Sequence, residues 1–155
     1  MNALPVSPSG TAPTVSIVIP AYNEEATIRA CVTAALAQTV PAHEVIVVDN
    51  RSTDRTAAIV AELQAANPDA PLRVIPQFAE QGLVPTRNLG LDSATGDVIG
   101  RIDADSVLEP TWVEEVQKAF LDPAVAAATG PVLYYDMPLR RFGLQHFFDD
   151  APQAR

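Results

Sequence analysis

The chain has very little of the residue types that build disulfides, histidine metal centres and nucleic-acid interfaces. Among its 155 residues there is one cysteine, Cys31, one lysine, Lys118, and two histidines, His43 and His146. A single cysteine excludes an internal disulfide and a cysteine metal cluster, and the two histidines stand too far apart in sequence for ligand spacing. The net charge of −9 argues against nucleic acid as a partner, because binding a phosphate backbone needs basic surface.

Long apolar runs are also missing from the sequence. No uninterrupted apolar segment approaches the roughly 18 residues that cross a bilayer, so we expect no transmembrane segment in this chain. Residues 1–13 are rich in Pro, Ser and Ala but lack a basic start and an apolar core segment, which predicts a flexible leader rather than a signal peptide. A hydrophobic content of 48% fits a globular domain with its own core, and we expect a cytoplasmic setting.

Three common site signatures are absent as well. The sequence contains no GxGxxG and no GxxxxGK followed by Ser or Thr, which removes the usual dinucleotide and P-loop interpretations. No Ser or Cys lies in the context of a nucleophile elbow. Cys31 lies among apolar residues of a predicted helix, which predicts a small buried hydrophobic side chain.

What the sequence does contain is a regular alternation of strand and helix patterns. Short apolar runs predict strands, and apolar residues at helical spacing predict the helices between them. The run Val45–Val48 is apolar on both faces, as in parallel strands that are covered on both sides. The order predicts an α/β fold, a mainly parallel sheet with helices on both faces. The predicted strands are 15–19, 44–48, 72–75 and 97–102, and the predicted helices are 23–38, 52–67, 83–94 and 110–120, followed by an extended segment at 125–133.

Polar residues collect where three of these strands end. Tyr22–Glu25 follow the first strand, Asp49–Asp54 the second, and Asp103–Asp105 the fourth. Ligands of parallel sheets bind outside the carboxyl ends of the strands, near the point where the strand order reverses, so we expect these clusters to form one site. The first cluster suits a nucleotide base, with Asn23 as a plain helix N-cap as the alternative.

Asp103 and Asp105 come directly after the fourth predicted strand. Side chains of a strand alternate with period two, so both carboxylates are expected on one side of the peptide. Two like charges this close repel each other, and a divalent cation beside them relieves the repulsion. Carboxylate oxygens suit Mg²⁺ or Mn²⁺, which commonly also bind substrate phosphates. The alternative is a solvated turn in which Asp105 or Ser106 caps the next helix.

Asp49 and Arg87 are the other candidates for ligand contact. Asp49 follows a buried strand, where a carboxylate can accept hydrogen bonds from a base or ribose; the alternative is that Asp49 and Asp54 cap the next helix. Arg87 lies early in the third predicted helix, and its guanidinium fork matches phosphate oxygens, with a surface salt bridge as the alternative. Gly90 in the same helix indicates close packing or close approach of a ligand.

Four segments closely resemble family 2 glycosyltransferases of the GT-A fold, in the family's order and at its usual distances. The resemblance covers roughly residues 15 to 131 and implies a Rossmann-like three-layer sandwich. It also implies an inverting transferase that moves a sugar from a nucleoside diphosphate-sugar, with UDP as the expected nucleotide and Mn²⁺ or Mg²⁺ as cofactor. The segments are Ser16–Glu25, Val45–Asp54, Thr86–Gly90 and Asp103–Asp105.

The resemblance also implies roles for individual residues. Asp49 matches the residue that contacts the uracil or other base, and Arg87 matches the residue near the diphosphate. Asp103 matches the acid near the ribose and metal, and Asp105 matches the acid that binds the metal directly. The expected donor-binding residues are Pro20, Tyr22, Glu24, Asp49, Arg51, Arg87, Asp103 and Ala104, and the expected metal ligands are Asp105 and Asp103.

The chain departs from the family pattern in two places. The second motif usually reads Asp-Asp-Gly-Ser, but here Asn50 removes a charge and Arg51 replaces a flexible glycine with a cation that either holds the diphosphate or points to solvent. The family places its catalytic base well downstream of Asp-x-Asp, so we expect the base beyond Arg155. Asp149 and Asp150 are too close and in the wrong context for that role. We therefore expect this chain alone to bind the donor with little or no transfer.

The expected organisation has three parts and leaves two other classes of protein open. Residues 1–13 are the leader, 14–135 a GT-A nucleotide-sugar-binding domain, and 136–155 a tail or the start of an incomplete acceptor-side region. The acceptor, the sugar and the oligomeric state stay open. One competing class is a non-catalytic nucleotide-sugar-binding or regulatory module that acts with a partner chain. The other is a receiver-like domain, but this needs a lysine at the end of a late strand, and Lys118 falls inside a predicted helix.

Overall fold

The structure, a computed structural model, describes residues 12–130, in which four strands alternate with four helices. Residues 1–11 of the predicted leader and the predicted tail at 136–155 lie outside the described residues. No helix in the described range is long and apolar enough to span a membrane. The elements are β1 (Val15–Ala21), α1 (Ile28–Leu36), β2 (Glu44–Asp49), α2 (Thr56–Ala66), β3 (Leu72–Pro76), α3 (Leu83–Ser93), β4 (Val98–Arg101) and α4 (Trp112–Ala119).

The strands form one sheet in the order β3-β2-β1-β4, with parallel pairing throughout. Ile17 of β1 lies opposite Val45 of β2 on one side and Gly100 of β4 on the other. The chain adds β2 and β3 on one side of β1 and then returns to place β4 on its other side. The predicted α/β fold with a parallel sheet is confirmed, and its switch point lies between β1 and β4.

Helices cover both faces of the sheet, as predicted. Ile17 packs on the face that holds Val32 of α1, whereas Val18 packs on the opposite face against Leu89 of α3. Gly90 permits the close approach of α3, because a Cβ at this position would lie 2.3 Å from Cγ1 of Val18. Close packing against the sheet therefore explains the glycine inside this helix.

β1 continues through Pro20, although the sequence predicts a strand that stops before it. The carbonyl oxygen of Val18 accepts a hydrogen bond from the N–H of Ile102 at 2.9 Å, on the side of β4. By the period of two, position 20 faces the same side, and β4 has already ended at Arg101. The proline, which has no N–H, therefore costs no hydrogen bond between strands at this position. A strand tolerates proline under this condition.

Two helix starts and one predicted extended segment also differ from the sequence prediction. α1 begins at Ile28 rather than Asn23, and its first turn contains no acidic residue. α2 begins at Thr56, and neither Ser52 nor Thr53 caps it. Residues 125–130, the described part of the predicted extended segment, are not a strand, because an apolar run becomes a strand only where a neighbouring strand pairs with it.

A buried carboxylate ties the strands together at their amino ends. Glu44, at the start of β2, accepts hydrogen bonds at Oε1 from Ser16 Oγ at 2.9 Å, Thr95 N at 2.6 Å and Thr95 Oγ1 at 2.7 Å. Arg73 of β3 forms an ion pair with Oε2. Burial acts to raise the pKa of Glu44, but the hydrogen bonds from Thr95, Arg73 and Ser16 outweigh it and lower the pKa to about 2. One side chain thus joins β1, β2, β3 and the loop before β4.

Candidate functional site

An open cleft of about 550 Å³ lies at the carboxyl ends of β1 and β4. The loop after β1, the start of α3 and the turn after β4 form its walls. The position is the one that the strand order predicts for a ligand of a parallel sheet. The cleft is lined by Pro20, Ala21, Tyr22, Glu24, Asn50, Gln81, Gly82, Leu83, Thr86, Arg87, Asp103, Ala104 and Asp105.

The cleft brings together seven of the nine residues predicted for donor and metal binding, and Asp49 and Arg51 are the two that do not line it. Three of its lining side chains are acidic and one is basic, which gives the lining a formal charge of −2. A ligand with negative charge therefore needs positive charge that the lining alone does not supply. The predicted residues that line the cleft are Pro20, Tyr22, Glu24, Arg87, Asp103, Ala104 and Asp105.

The acidic pair lies in a turn, because β4 ends at Arg101, two residues before Asp103. The expectation that strand alternation orients both carboxylates is therefore wrong. Ala104 between them is 3% exposed and packs into the core, while Asp103 and Asp105 are both exposed and line the cleft. Burial of the middle residue fixes the turn and leaves the two acids facing the site.

The carbonyl oxygen of Asp103 anchors this turn. It accepts hydrogen bonds from the N–H of Ser106 at 2.9 Å and from the thiol of Cys31 at 3.7 Å. Burial, reinforced by the charges of Asp105 and Asp103, raises the pKa of Cys31 to about 12, so the thiol stays protonated and can donate. Cys31 is buried, as predicted. The pair does lie in an exposed turn, but neither Asp105 nor Ser106 caps α4, whose N-cap is Thr111, so the capping part of that alternative is wrong.

Arg87 is both a cleft residue and a member of an ion pair. Its Nη2 lies 3.5 Å from Oδ1 of Asp103, and Nη1 of Arg101 lies 2.9 Å from the same oxygen. Within the described residues, Nε of Arg87 is buried and has no hydrogen-bond partner. A buried donor without a partner is rare in proteins, and a role in function is one of the explanations for it. The guanidinium at this wall of the cleft therefore suits an anionic ligand.

The loops after β1 and β2 are joined by hydrogen bonds between side chains and backbone. The N–H of Asn23 donates to Oγ of Ser52 at 3.0 Å, and Oδ1 of Asn23 accepts from the N–H of Thr53 at 2.8 Å. The N–H of Glu24 donates to Oγ1 of Thr56 at 2.8 Å. Asn23 has a φ of 54°, a left-handed conformation that asparagine adopts more readily than most residues. Asn23 thus builds the loop and does not cap α1.

Glu25 and Asp54 complete this connection, which we call the loop junction (residues 23–25 with 52–56). The N–H of Glu25 donates to Oδ2 of Asp54 at 3.0 Å, and the N–H of Arg55 donates to Oε2 of Glu25 at 3.0 Å. Oδ1 of Asp54 accepts from the N–H of Thr56, the first residue of α2, at 2.9 Å, but the N-cap position of α2 is Arg55, so the alternative in which Asp49 and Asp54 cap this helix is wrong. Desolvation opposes the effect, but the hydrogen bonds from Thr56 and Glu25 lower the pKa of Asp54 below its usual value.

Asp49 and Arg51 lie beside the cleft and hold its surrounding loops. Oδ1 of Asp49 accepts a hydrogen bond from the N–H of Ser52 at 3.3 Å, within the loop and before α2. Arg51 has a φ of 58°, and its guanidinium donates to the carbonyl oxygen of Phe78 in the loop before α3. The donor-binding roles of these two residues stay predictions.

Sequence reasoning does not identify six of the lining residues. Oδ1 of Asn50 accepts from the N–H of Gly82 at 3.2 Å, and Oγ1 of Thr86 donates to the carbonyl oxygen of Gly82 at 2.5 Å. Gly82 has a φ of 155°, which favours glycine, and a glycine just before a predicted helix is the signal that marks this corner. The six residues are Ala21, Asn50, Gln81, Gly82, Leu83 and Thr86.

The carboxylates that line the cleft fit a divalent cation only if a bound ligand supplies further oxygen atoms to that cation. Within the described residues there is no group of three or more His, Cys, Asp or Glu side chains placed to hold a metal. Asp103 and Asp105 nevertheless offer two carboxylates to the cleft. Mg²⁺ and similar ions are commonly bound by one or two carboxylates together with substrate phosphates and water. The residues therefore fit a cation shared between the protein and a phosphate ligand.

Comparison with known proteins finds one family along most of the chain. The model of the family described as "Glycosyl transferase family 2" matches residues 16–154. Glycosyltransferase AglE of Haloferax volcanii is 34% identical over 108 residues, which are 68% of this chain and 35% of AglE. Chondroitin synthase of Pasteurella multocida is 39% identical over 109 residues, 70% of this chain and 11% of that protein. The chain thus spans about a third of the first relative and about a tenth of the second.

Solved structures with the same arrangement include complexes with nucleotides. TarS from S. aureus in complex with UDP superposes with a TM-score of 0.61 at 28% identity, over 71% of this chain and 32% of that one. The mannosyltransferase PcManGT from Pyrobaculum calidifontis, in complex with GDP-Man and Mn²⁺, gives a TM-score of 0.64 at 28% identity, over 81% of this chain and 36% of that one.

Proposed function

We propose, from the premise that this chain belongs to glycosyl transferase family 2, that its cleft binds a nucleoside diphosphate-sugar whose sugar is transferred to an acceptor hydroxyl. The observation that carries the proposal is the cleft at the switch point of the sheet, where Tyr22, Glu24, Arg87, Asp103 and Asp105 meet. The relatives that the chain matches are longer than it, so the activity of a whole enzyme belongs to the proposal too.

The nucleotide that we propose is UDP. The family resemblance of the second motif favours a base contact near Asp49, and the TarS complex supports UDP as a ligand of this fold. Tyr22 is 47% exposed at the cleft and offers an aromatic ring to a base. GDP is the competing nucleotide, because PcManGT holds GDP-Man.

A divalent cation, Mn²⁺ or Mg²⁺, is the proposed cofactor. The lining already carries a formal charge of −2, and a diphosphate adds further negative charge. Asp105 and Asp103 would hold the ion together with phosphate oxygens. When bound, the ion supplies Lewis-acid stabilisation of the leaving diphosphate.

Arg87 supplies positive charge from the protein itself. Its guanidinium can donate two parallel hydrogen bonds to phosphate oxygens. In an inverting transfer the acceptor hydroxyl attacks the anomeric carbon while the nucleoside diphosphate leaves, so negative charge grows on the diphosphate. Hydrogen bonds that strengthen as this charge grows lower the barrier. From the resemblance we expect the base that takes the hydroxyl proton after the acidic pair, and we assign it to no described residue.

Calorimetry with the 155-residue chain tests donor binding. UDP in the presence of Mn²⁺ is expected to give saturable heat, and chelation of Mn²⁺ is expected to weaken binding at least about tenfold. Asp105→Asn should have a similar effect, because it removes a charged ligand oxygen. Asp69→Asn is the matched control, since Asp69 is exposed in the loop that precedes β3, away from the cleft. Binding that is unaffected by Mn²⁺ and by Asp105→Asn would falsify the proposed metal and donor site.

A further inference from the structure

One arginine that does not line the cleft contacts the acidic pair. Arg101, the last residue of β4, donates from Nη1 to Oδ1 of Asp103 at 2.9 Å. Nη2 of Arg87 lies 3.5 Å from the same oxygen. A single carboxylate oxygen is therefore shared by two guanidinium groups, one from a helix and one from a strand.

Arg101 reaches Asp103 from the same face of the sheet as Arg87. A Cβ on Gly100, the preceding residue, would lie 2.2 Å from the ring of Trp112, so position 100 faces α4. Alternation along the strand places position 101 on the opposite face, which α3 covers. The exposed fraction of the Arg101 side chain is 40% and that of Asp103 is 54%. Solvent therefore reaches the pair, and Asp103 can exchange its hydrogen bond with Arg101 for a bond to another partner.

We propose that Arg101 is a positioning residue that competes with the divalent cation for Asp103 and so makes cation binding depend on the nucleotide. This inference rests on the proposed function. A cation that arrives alone meets the charge of Arg101 beside Asp103 and an oxygen that already accepts a hydrogen bond. A diphosphate changes this balance, because it brings further oxygen ligands and negative charge to the cation and attracts Arg87. Nucleotide and cation then bind together.

Mn²⁺ binding to the 155-residue chain, followed by electron paramagnetic resonance of the free ion with and without UDP, tests this role. In the wild type, saturating UDP is expected to tighten Mn²⁺ binding at least about tenfold. Arg101→Gln removes the positive charge and should tighten nucleotide-free Mn²⁺ binding about fivefold, as expected for one partly exposed charge. The factor by which UDP tightens Mn²⁺ binding should be about fivefold smaller in this variant than in the wild type. Arg101→Lys keeps the charge and should behave like the wild type.

A double-mutant cycle separates this role from a merely structural one. In the Asp103→Asn background, Arg101→Gln should change nucleotide-free Mn²⁺ affinity less than twofold, because the charge for which Arg101 competes is gone. Arg101→Met, which keeps the aliphatic stem, answers the same question if Arg101→Gln does not fold. If Arg101→Gln and Arg101→Met both bind Mn²⁺ without nucleotide as tightly as the wild type does, the inference is overturned and the proposed function stays intact. A wild-type chain that binds no Mn²⁺ even with UDP would overturn the proposed function as well.

Discussion

At the scale of single residues, Glu44 is the side chain whose protonation matters most for the sheet. Its pKa is lowered from the usual 4.5 to about 2, because its hydrogen-bond partners and Arg73 favour the charged form more than burial disfavours it. A lowered pKa in the folded state means that this contribution to stability is fully present above pH 4.5. It is lost as the pH falls from about 4.5 through about 2.

Glu44→Gln is expected to lower the free energy of unfolding at pH 7 by about 3 kcal/mol, from a pKa near 2 against 4.5 at about 1.4 kcal/mol per pKa unit. The loss should shrink as the pH falls from 4.5, because the wild type loses the same contribution. Urea unfolding at pH 7, 4.5 and 3 measures both effects. Glu80→Gln, at an exposed loop position, is the control. A variant with the pH dependence of the wild type would contradict the role given to Glu44.

At the scale of elements, the strands and helices follow from the sequence, but their ends in the loop junction do not. Apolar periodicity depends on neighbours within a few residues, so it identifies β1, β2 and α1 correctly. The bonds of Asn23 with Ser52 and Thr53 join residues 29 and 30 positions apart. Local propensity makes Asn23 a helix cap, and only the folded sheet brings the two loops together. Tertiary hydrogen bonding therefore decides these boundaries.

At the candidate site, too, the sequence predicts the features that follow from strand order and misses those that depend on contacts in the folded chain. The order of the polar clusters at strand ends predicts the cleft, because parallel strands deliver their carboxyl ends to one edge. The direction of a side chain is not encoded in that order: Asp49 forms a hydrogen bond within its own loop and Arg51 contacts the loop before α3, and neither lines the cleft. Asn50 reaches the wall through its hydrogen bond with Gly82, a contact between distant segments, whereas Thr86 contacts Gly82 within the first turn of α3.

Two substitutions at Asn23 test the loop junction. Asn23→Ala should lower the free energy of unfolding by about 2 kcal/mol, since it removes a hydrogen bond and places alanine in a left-handed conformation. Asn23→Gly should cost about 1 kcal/mol, because glycine removes the hydrogen bond without the strain. Thermal unfolding of the pair measures the difference. Equal losses for both variants would show that the φ of Asn23 has no energetic role.

At the scale of the whole molecule, donor binding and sugar transfer are separate properties. The cleft contains residues suited to the diphosphate, whereas we expect the base, from the family resemblance, beyond Arg155. We expect the 155-residue chain to bind UDP with Mn²⁺ and to transfer no sugar from UDP-sugars to added acceptors, as measured by release of UDP. Turnover well above the spontaneous rate would contradict this. Activity that appears only with a co-purifying protein would support a module that works with a partner chain.

The hydrogen-bond network around Glu44 and the cleft lie at opposite ends of the strands. Glu44 begins β2 and Asp49 ends it, so about 17 Å of strand separates the two ends at roughly 3.3 Å per residue. Substitutions farther apart than about 10 Å with no shared partners usually have additive effects. Stabilising replacements, fluorescent labels or surface tethers can therefore be introduced near the amino ends of the strands while the proposed donor affinity is engineered independently at the carboxyl ends.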